Sequence, residues 1–226
     1  ALGVTMTAVP YVGIVGAALT TLFLNRTVAQ NHDALRLILV GLALNSFLGA
    51  LTALTLNFSQ NPYKTLEMMF WLLGSFSTQS LDKVLLVILP MVVGSWIIYR
   101  DRHVLDTLSF GEDFSTNMGF HLTHIKKRLI IGTALIIGPI VSIGGIVGFV
   151  GLITPHILRQ ILKAKPSELL VPSAFGGAIL CVAADITVRL LSTGNEIKIG
   201  VITSFLGAPF FLYLLLKKDT VCHDSV

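Results

Sequence analysis

Charge is what this sequence has least of. Only 12% of its 226 residues are Asp, Glu, Lys or Arg, while 54% are apolar, and the mean hydropathy is +0.82. Soluble domains run nearer about 25% charged and about 45–50% apolar. So few charges could not cover the surface of a soluble protein, which excludes that class. Cysteine is nearly missing: Cys181 lies in an apolar run and Cys222 in the polar tail, so no disulfide framework is expected. No GxxxxGK[ST] loop occurs, which excludes a P-loop nucleotide site in this chain. No GxSxG, Ser-Lys or paired-Asp arrangement within the apolar runs suggests an intramembrane protease. The chain opens at Ala1, directly before an apolar run, with neither a basic n-region nor a small-residue cleavage site. No signal peptide is therefore expected, and something upstream is expected to be missing.

What the sequence has in quantity is long apolar runs. A helix needs about 20 apolar residues to cross a bilayer. Runs of that kind occupy 8–24, 36–57, 82–99, 129–147, 168–191 and 197–216, with a shorter one at 147–162. Seven crossings are expected, in an all-α polytopic membrane helix bundle forming a single domain over 1–226. The stretch 65–76, with Glu67 near one end, is too short to span and reads as a helix lying at the interface. With the first run directed inward, twelve of the sixteen Lys and Arg residues fall on one side. Only Lys64, Lys83, Arg189 and Lys198 fall on the other. The positive-inside rule puts the first group, and the C-terminus, in the cytoplasm.

Within this frame a few residues carry a reading. Gly144 and Gly148 have the small-xxx-small spacing that lets helices approach, with Gly151 following. Pro155 is tolerated in lipid where a neighbour satisfies the freed carbonyl, and it predicts a kink that makes 147–162 short. The loop 100–128 has apolar residues at helical spacing and glycines at 111 and 119. It predicts two short helices with Glu112 and Asp113 between them; a solvated connector and a contact surface both fit. His121 and His124 lack the Glu of a zinc hydrolase motif and read as helix-surface residues; no metal site is expected. Asp185 is the one acid inside a predicted span, and Arg189 follows one turn later. A structural ion pair and a handle for an acidic external partner both remain open. Asn45, with Ser46, Thr52, Thr55 and Asn57, makes one run polar along its length, either facing a watery path or bonding across helices, the commoner case.

The segments GFVGLITPHILR, ELLVPSAFGGAILCVAADITVRLL and EIKIGVITSFLGAPFFLYLLLKK, with residues 38–57, FWLLGSF at 70–76 and LSFGEDFSTNMGF at 108–120, resemble one family in the same order. That family is the permease subunit of ABC importers for iron-siderophores, haem and cobalamin, and the resemblance covers about residues 10–218. The resemblance implies that Leu108, Gly111, Glu112 and Gly119 belong to two short cytoplasmic helices seated in a groove of the ATPase subunit, which favours the contact-surface reading of the loop. It implies that Arg189 meets a glutamate of the binding protein. Gly74 falls in an external gate element, Ala34 and Leu35 at a cytoplasmic gate, and Asn45 along the path. Implied partners are a second permease copy, two cytoplasmic ATPases, a periplasmic or lipid-anchored binding protein and membrane lipid; no nucleic acid is expected. The chain would bind no cofactor and catalyse no reaction, with ATP used by the partners in a bacterial inner membrane. An iron-siderophore is the expected cargo.

Members of the family have about ten spans, and the first three have no counterpart here. They are expected either to be cut away or to come from another chain. The rival to a working importer subunit is a truncated membrane scaffold without transport; Glu112→Lys should weaken ATPase co-purification in the first case and change nothing in the second. The chain purified without any partner is predicted to support no ATP-coupled uptake in liposomes, and normal uptake would contradict this.

Overall fold

The computed structural model describes residues 9–28, 34–76, 80–191 and 197–221. Among these every regular element is an α-helix, in the order α1 (Val9–Val28), α2 (Ala34–Asn57), α3 (Pro62–Leu72), α4 (Leu81–Arg100), α5 (Arg102–Leu108), α6 (Glu112–Asn117), α7 (Leu122–Gly144), α8 (Val150–Leu162), α9 (Pro166–Leu191) and α10 (Ile199–Val221). Four of them are long and apolar enough to cross a membrane: α2 from Ile38, α4, α7 and α9. Shorter apolar stretches lie at Val15–Leu24 in α1 and Ile199–Tyr213 in α10. The protein is an all-α membrane bundle. Side chains such as Ile38, Leu42 and Phe205 are more than 60% exposed, an arrangement that lipid accepts and water does not. Of the seven crossings expected from the sequence, those at 8–24, 147–162 and 197–216 are not among these four helices. α8 has 13 residues, about 20 Å at 1.5 Å per residue, against a hydrocarbon core of about 30 Å.

The helices group into two compact units, one of Ala1–Trp71 with Gln79–Ile143 and one of Leu72–Thr78 with Gly144–Val226. In the first, α4 and α7 come close enough for backbone to touch backbone. A Cβ on Gly94 would lie 2.6 Å from the Gly132 carbonyl and 2.9 Å from Ile136. α1 meets α7 in the same way. A Cβ on Gly138 would lie 2.6 Å from that of Ala17, and one on Gly13 would strike Ser142. Pro139, inside α7, is fully buried, and its own carbonyl accepts the Ser142 hydroxyl at 2.7 Å. α7 starts at Leu122, seven residues before the expected span, so Lys126, Lys127 and Arg128 lie within its first turns. A helix need not end where the lipid does. At the far end of α4, Arg100 lies over the Trp96 ring and Arg102 over that of Tyr99, an aromatic–cation grouping typical of a membrane interface.

The second unit holds α8 packed along α9. Their contact runs through Gly176 of α9, where a Cβ would meet Thr154 at 2.8 Å and Leu158 at 3.0 Å. Gly151 has open space around it instead. The Gly144-x-x-x-Gly148 reading needed one continuous helix, but the chain leaves α7 at Gly144 and Gly148 lies in the irregular link. The two glycines have separate neighbours, the Phe76 ring and the Ser204 hydroxyl. Nor is Pro155 what makes α8 short. The helix continues through it and is bounded by Phe149 and Lys163, both in the left-handed conformation, at φ 65 and 47.

Replacing Gly94 by Ala is expected to cost about 1–3 kcal/mol, since overpacking forces backbone apart. Gly49→Ala, with nothing within 4 Å, is expected to be neutral or to gain up to about 1 kcal/mol from helix propensity. Thermal melts of the two variants in detergent check this; equal melting temperatures would contradict the close approach.

Candidate functional site

The polar loop between α4 and α7 is built around a small apolar core. Val104, Leu122 and Ile125 are buried, with Leu108, Phe120 and Leu129 packed against them. Leu108 therefore faces inward, as the apolar spacing requires. Gly111 stands just before α6 as its cap, and its φ of 109 is open to glycine and strained for other residues. α6 follows at once, so Glu112 and Asp113 do not lie between the helices but form the first turn of α6, where carboxylates favour the positive end of the helix dipole. Ser115 is fully buried and returns its hydroxyl to the Gly111 carbonyl at 3.1 Å. Gly119, at φ 87, turns the chain back toward α7.

Outward this compact turn shows three large apolar side chains beside the polar Ser109, Asp113, Thr116 and Asn117. Phe110 is 75% exposed, Phe114 and Met118 are exposed as well, and the two rings lie 5.5 Å apart. The four-residue spacing of Phe110, Phe114 and Met118 is visible in the sequence and is the signal that could have identified this face. Glu112 is turned elsewhere. Its Oε2 accepts a hydrogen bond from Lys126 Nζ of α7 at 2.7 Å. Arg128 donates through Nε and Nη2 to both carboxylate oxygens of Asp101, at 2.7 and 3.0 Å. Neither pair is visible as a sequence motif, since the partners stand 14 and 27 residues apart.

The second unit brings three separate stretches together at Gly74. The Gly74 carbonyl accepts from the Ile199 amide at 3.1 Å, and the Leu73 carbonyl accepts from the Gly200 amide at 3.0 Å. The Ser75 amide donates to Gly144 at 2.8 Å. Gly74 has φ +73, and a Cβ there would lie 2.7 Å from the Ile146 carbonyl. A Cβ on Gly200 would strike the Leu73 carbonyl and come within 2.7 Å of the same Ile146 oxygen. Only glycine fits these positions. The first amides of α10, which have no partner within their own helix, thus take carbonyls from the segment after α3. α3 itself starts at Pro62 with Asn61 as its cap, the Asn61 side chain accepting from the Tyr63 amide at 3.0 Å.

The remaining expected site residues lie on other elements. Arg189, in the last turn of α9, is 63% exposed and donates to Asp185 at 2.7 Å. Ala34 opens α2, and Leu35 and Asn45 of the same helix are exposed. The Thr52 and Thr55 hydroxyls and the Asn57 amide do not bond across helices but return to the carbonyls of Leu48, Leu51 and Ala53 on their own. His121 and His124 lie at the start of α7 with their rings edge to face at 6.3 Å. No group of three or more metal-binding side chains occurs among the described residues. His32, Asp33, Glu196, Cys222 and His223 lie outside the described residues.

Comparison with known proteins gives this geometry a context. The family model of the FecCD transport family matches residues 1–217. The chain is similar to the vitamin B12 import system permease protein of Vibrio cholerae, 36% identical over 213 residues, covering 94% of this chain and 62% of that protein. The protein of the same description from Vibrio parahaemolyticus is 37% identical over 215 residues, with 94% and 62% covered. Among solved structures, one described as an inward-facing conformation of a metal-chelate type ABC transporter matches with a TM-score of 0.78 and 31% identity, over 89% of this chain and 63% of that one. The chain thus spans a little under two thirds of the length of these relatives.

Proposed function

Since the chain belongs to the FecCD transport family, we propose that it serves as membrane permease in an ATP-driven importer, taking its energy from cytoplasmic ATPase subunits. The observation that carries this reading is the exposed Phe110–Phe114–Met118 face on two short helices fastened to a membrane-crossing helix. An exposed apolar cluster of this kind marks a surface suited to a partner. It offers large aromatic anchors with Asp113 at the edge, the composition of an interface centre with a polar rim. In this reading a push on α5 and α6 reaches the spans and shifts them between outward-open and inward-open states.

The partners are those of a complete importer: a second permease copy, two ATPases, and a binding protein outside that Arg189 engages. The membrane is the bacterial inner membrane, with the loop 100–128 and the C-terminus in the cytoplasm as the basic residues direct. For the cargo we propose a bulky metal chelate. The ferric siderophore expected from the sequence and the vitamin B12 in the relatives' names share this chemistry, a metal wrapped in a large organic ligand. Uptake of radiolabelled cobalamin and of a ferric siderophore by source cells, with and without the gene, separates the two.

Glu112→Lys is a poor test of docking, because it sets two cations side by side and breaks the Lys126 pair. Phe110→Ser is the better one, since the ring is mostly exposed and its loss leaves the inner core intact. Tagged chain purified in mild detergent from source membranes is expected to retain a Walker-motif ATPase, and Phe110→Ser to reduce that retention about tenfold, as an aromatic anchor of about 1–2 kcal/mol would. Retention unchanged by Phe110→Ser, at normal protein levels, would contradict docking through this face.

A further inference from the structure

Helices as short as α5 and α6, seven and six residues, do not hold their place by themselves, since isolated helices below about 12–15 residues are marginal. Two ion pairs hold them here. Asp101 stands where α4 ends and α5 begins. Its side chain is 8% exposed, and both of its oxygens are held by the Arg128 fork, the geometry in which a guanidinium–carboxylate pair is strongest and most directional. Lys126 and Glu112 form the second pair, at 18% and 35% exposure. Residues two apart on a helix point to different sides. Lys126 and Arg128 therefore grip the loop from two directions, one at α6 and one at the α4–α5 junction, with the Val104–Leu122–Ile125 core between them. Such a joint cannot swing about a single pair.

We infer that Glu112 acts through Lys126 rather than by touching the ATPase, and that the Asp101–Arg128 and Glu112–Lys126 pairs are positioning residues that carry force from α5 and α6 into α7. This rests on the importer reading of the chain. A push on the Phe110 face then moves α7 with it, because displacing the loop alone would strip a shielded carboxylate of its partner. α7 is 23 residues long and crosses the bilayer, so the movement enters the membrane along one helix.

The test uses the importer complex purified from source membranes and reconstituted with its own binding protein, carrying Glu112→Lys, Lys126→Glu and the two together, and likewise Asp101→Arg, Arg128→Asp and the two together. Three quantities are read: ATPase retained, ATP hydrolysed, and uptake of whichever chelate the unaltered complex carries. Single reversals are expected to keep the ATPase bound and hydrolysing while uptake per ATP falls about tenfold, and each paired reversal to restore most of it. If single Glu112 reversals release the ATPase and the pair does not bring it back, Glu112 contacts the ATPase directly and the inference is overturned. Uptake per ATP unaffected by any reversal overturns it too. Should a reversal fail to fold, Glu112→Gln and Asp101→Asn keep the shape and remove the charge, and they are read in the same way. An unaltered complex that retains no ATPase overturns the importer reading itself, and this inference with it.

Discussion

In hydrocarbon a backbone amide or carbonyl without a partner has no water to turn to, and each one left bare costs several kcal/mol. The rest of the structure follows from that constraint. It keeps the four membrane-length elements helical throughout, and it sends the hydroxyls of Thr52, Thr55 and Thr187 back to carbonyls of their own helices. It also governs the places where the helices stop. Where α7 ends, where α3 has ended and where α10 begins, the chain is irregular, and there the three stretches bond one another through Ser75, Ile199 and Gly200. The glycines at 74 and 200 are what allow the backbones to come so close.

Charge obeys the same logic in the polar loop. Asp101 is shielded by protein and Glu112 partly so, and each finds its cation on α7. The result is a loop tied down by ion pairs and a small apolar core, while Phe110, Phe114 and Met118 remain exposed among polar neighbours. Function in this account lies in the contrast between those two faces: one bonded tightly to a membrane helix, the other free to be covered. Arg189 shows a looser version of the idea, since its partner Asp185 is on its own helix and its side chain is largely exposed.

The sequence alone made the membrane bundle legible, because scarce charge and long apolar runs leave few alternatives. A helix near 65–76 and the two short loop helices were also legible from their length and glycines, although the first runs Pro62–Leu72 and leaves Gly74 outside it. Other features were hidden for physical reasons. In sequence the basic run 126–128 resembles the edge of a lipid-embedded helix, whereas Lys126 and Arg128 are helical residues of α7 with acids to meet. Gly144 and Gly148 have a helix-packing spacing, but spacing says nothing of where the helix ends. The true close approaches, at Gly94, Gly132 and Gly176, depend on which helices become neighbours. The two ion pairs join residues far apart in the chain. The exposed aromatic face leaves a trace in the sequence only as a spacing of four, which charged and glycine positions between its members interrupt.

The central claim is that the irregular backbone at the ends of α3, α7 and α10 is closed by hydrogen bonds between segments. Hydrogen exchange resolved to single amides, on the chain in lipid nanodiscs, tests it most directly. The Ser75, Ile199 and Gly200 amides are predicted to exchange as slowly as those in the middle of α9. Exchange at the rate of unbonded amides would contradict the account, since the three stretches would then not be joined.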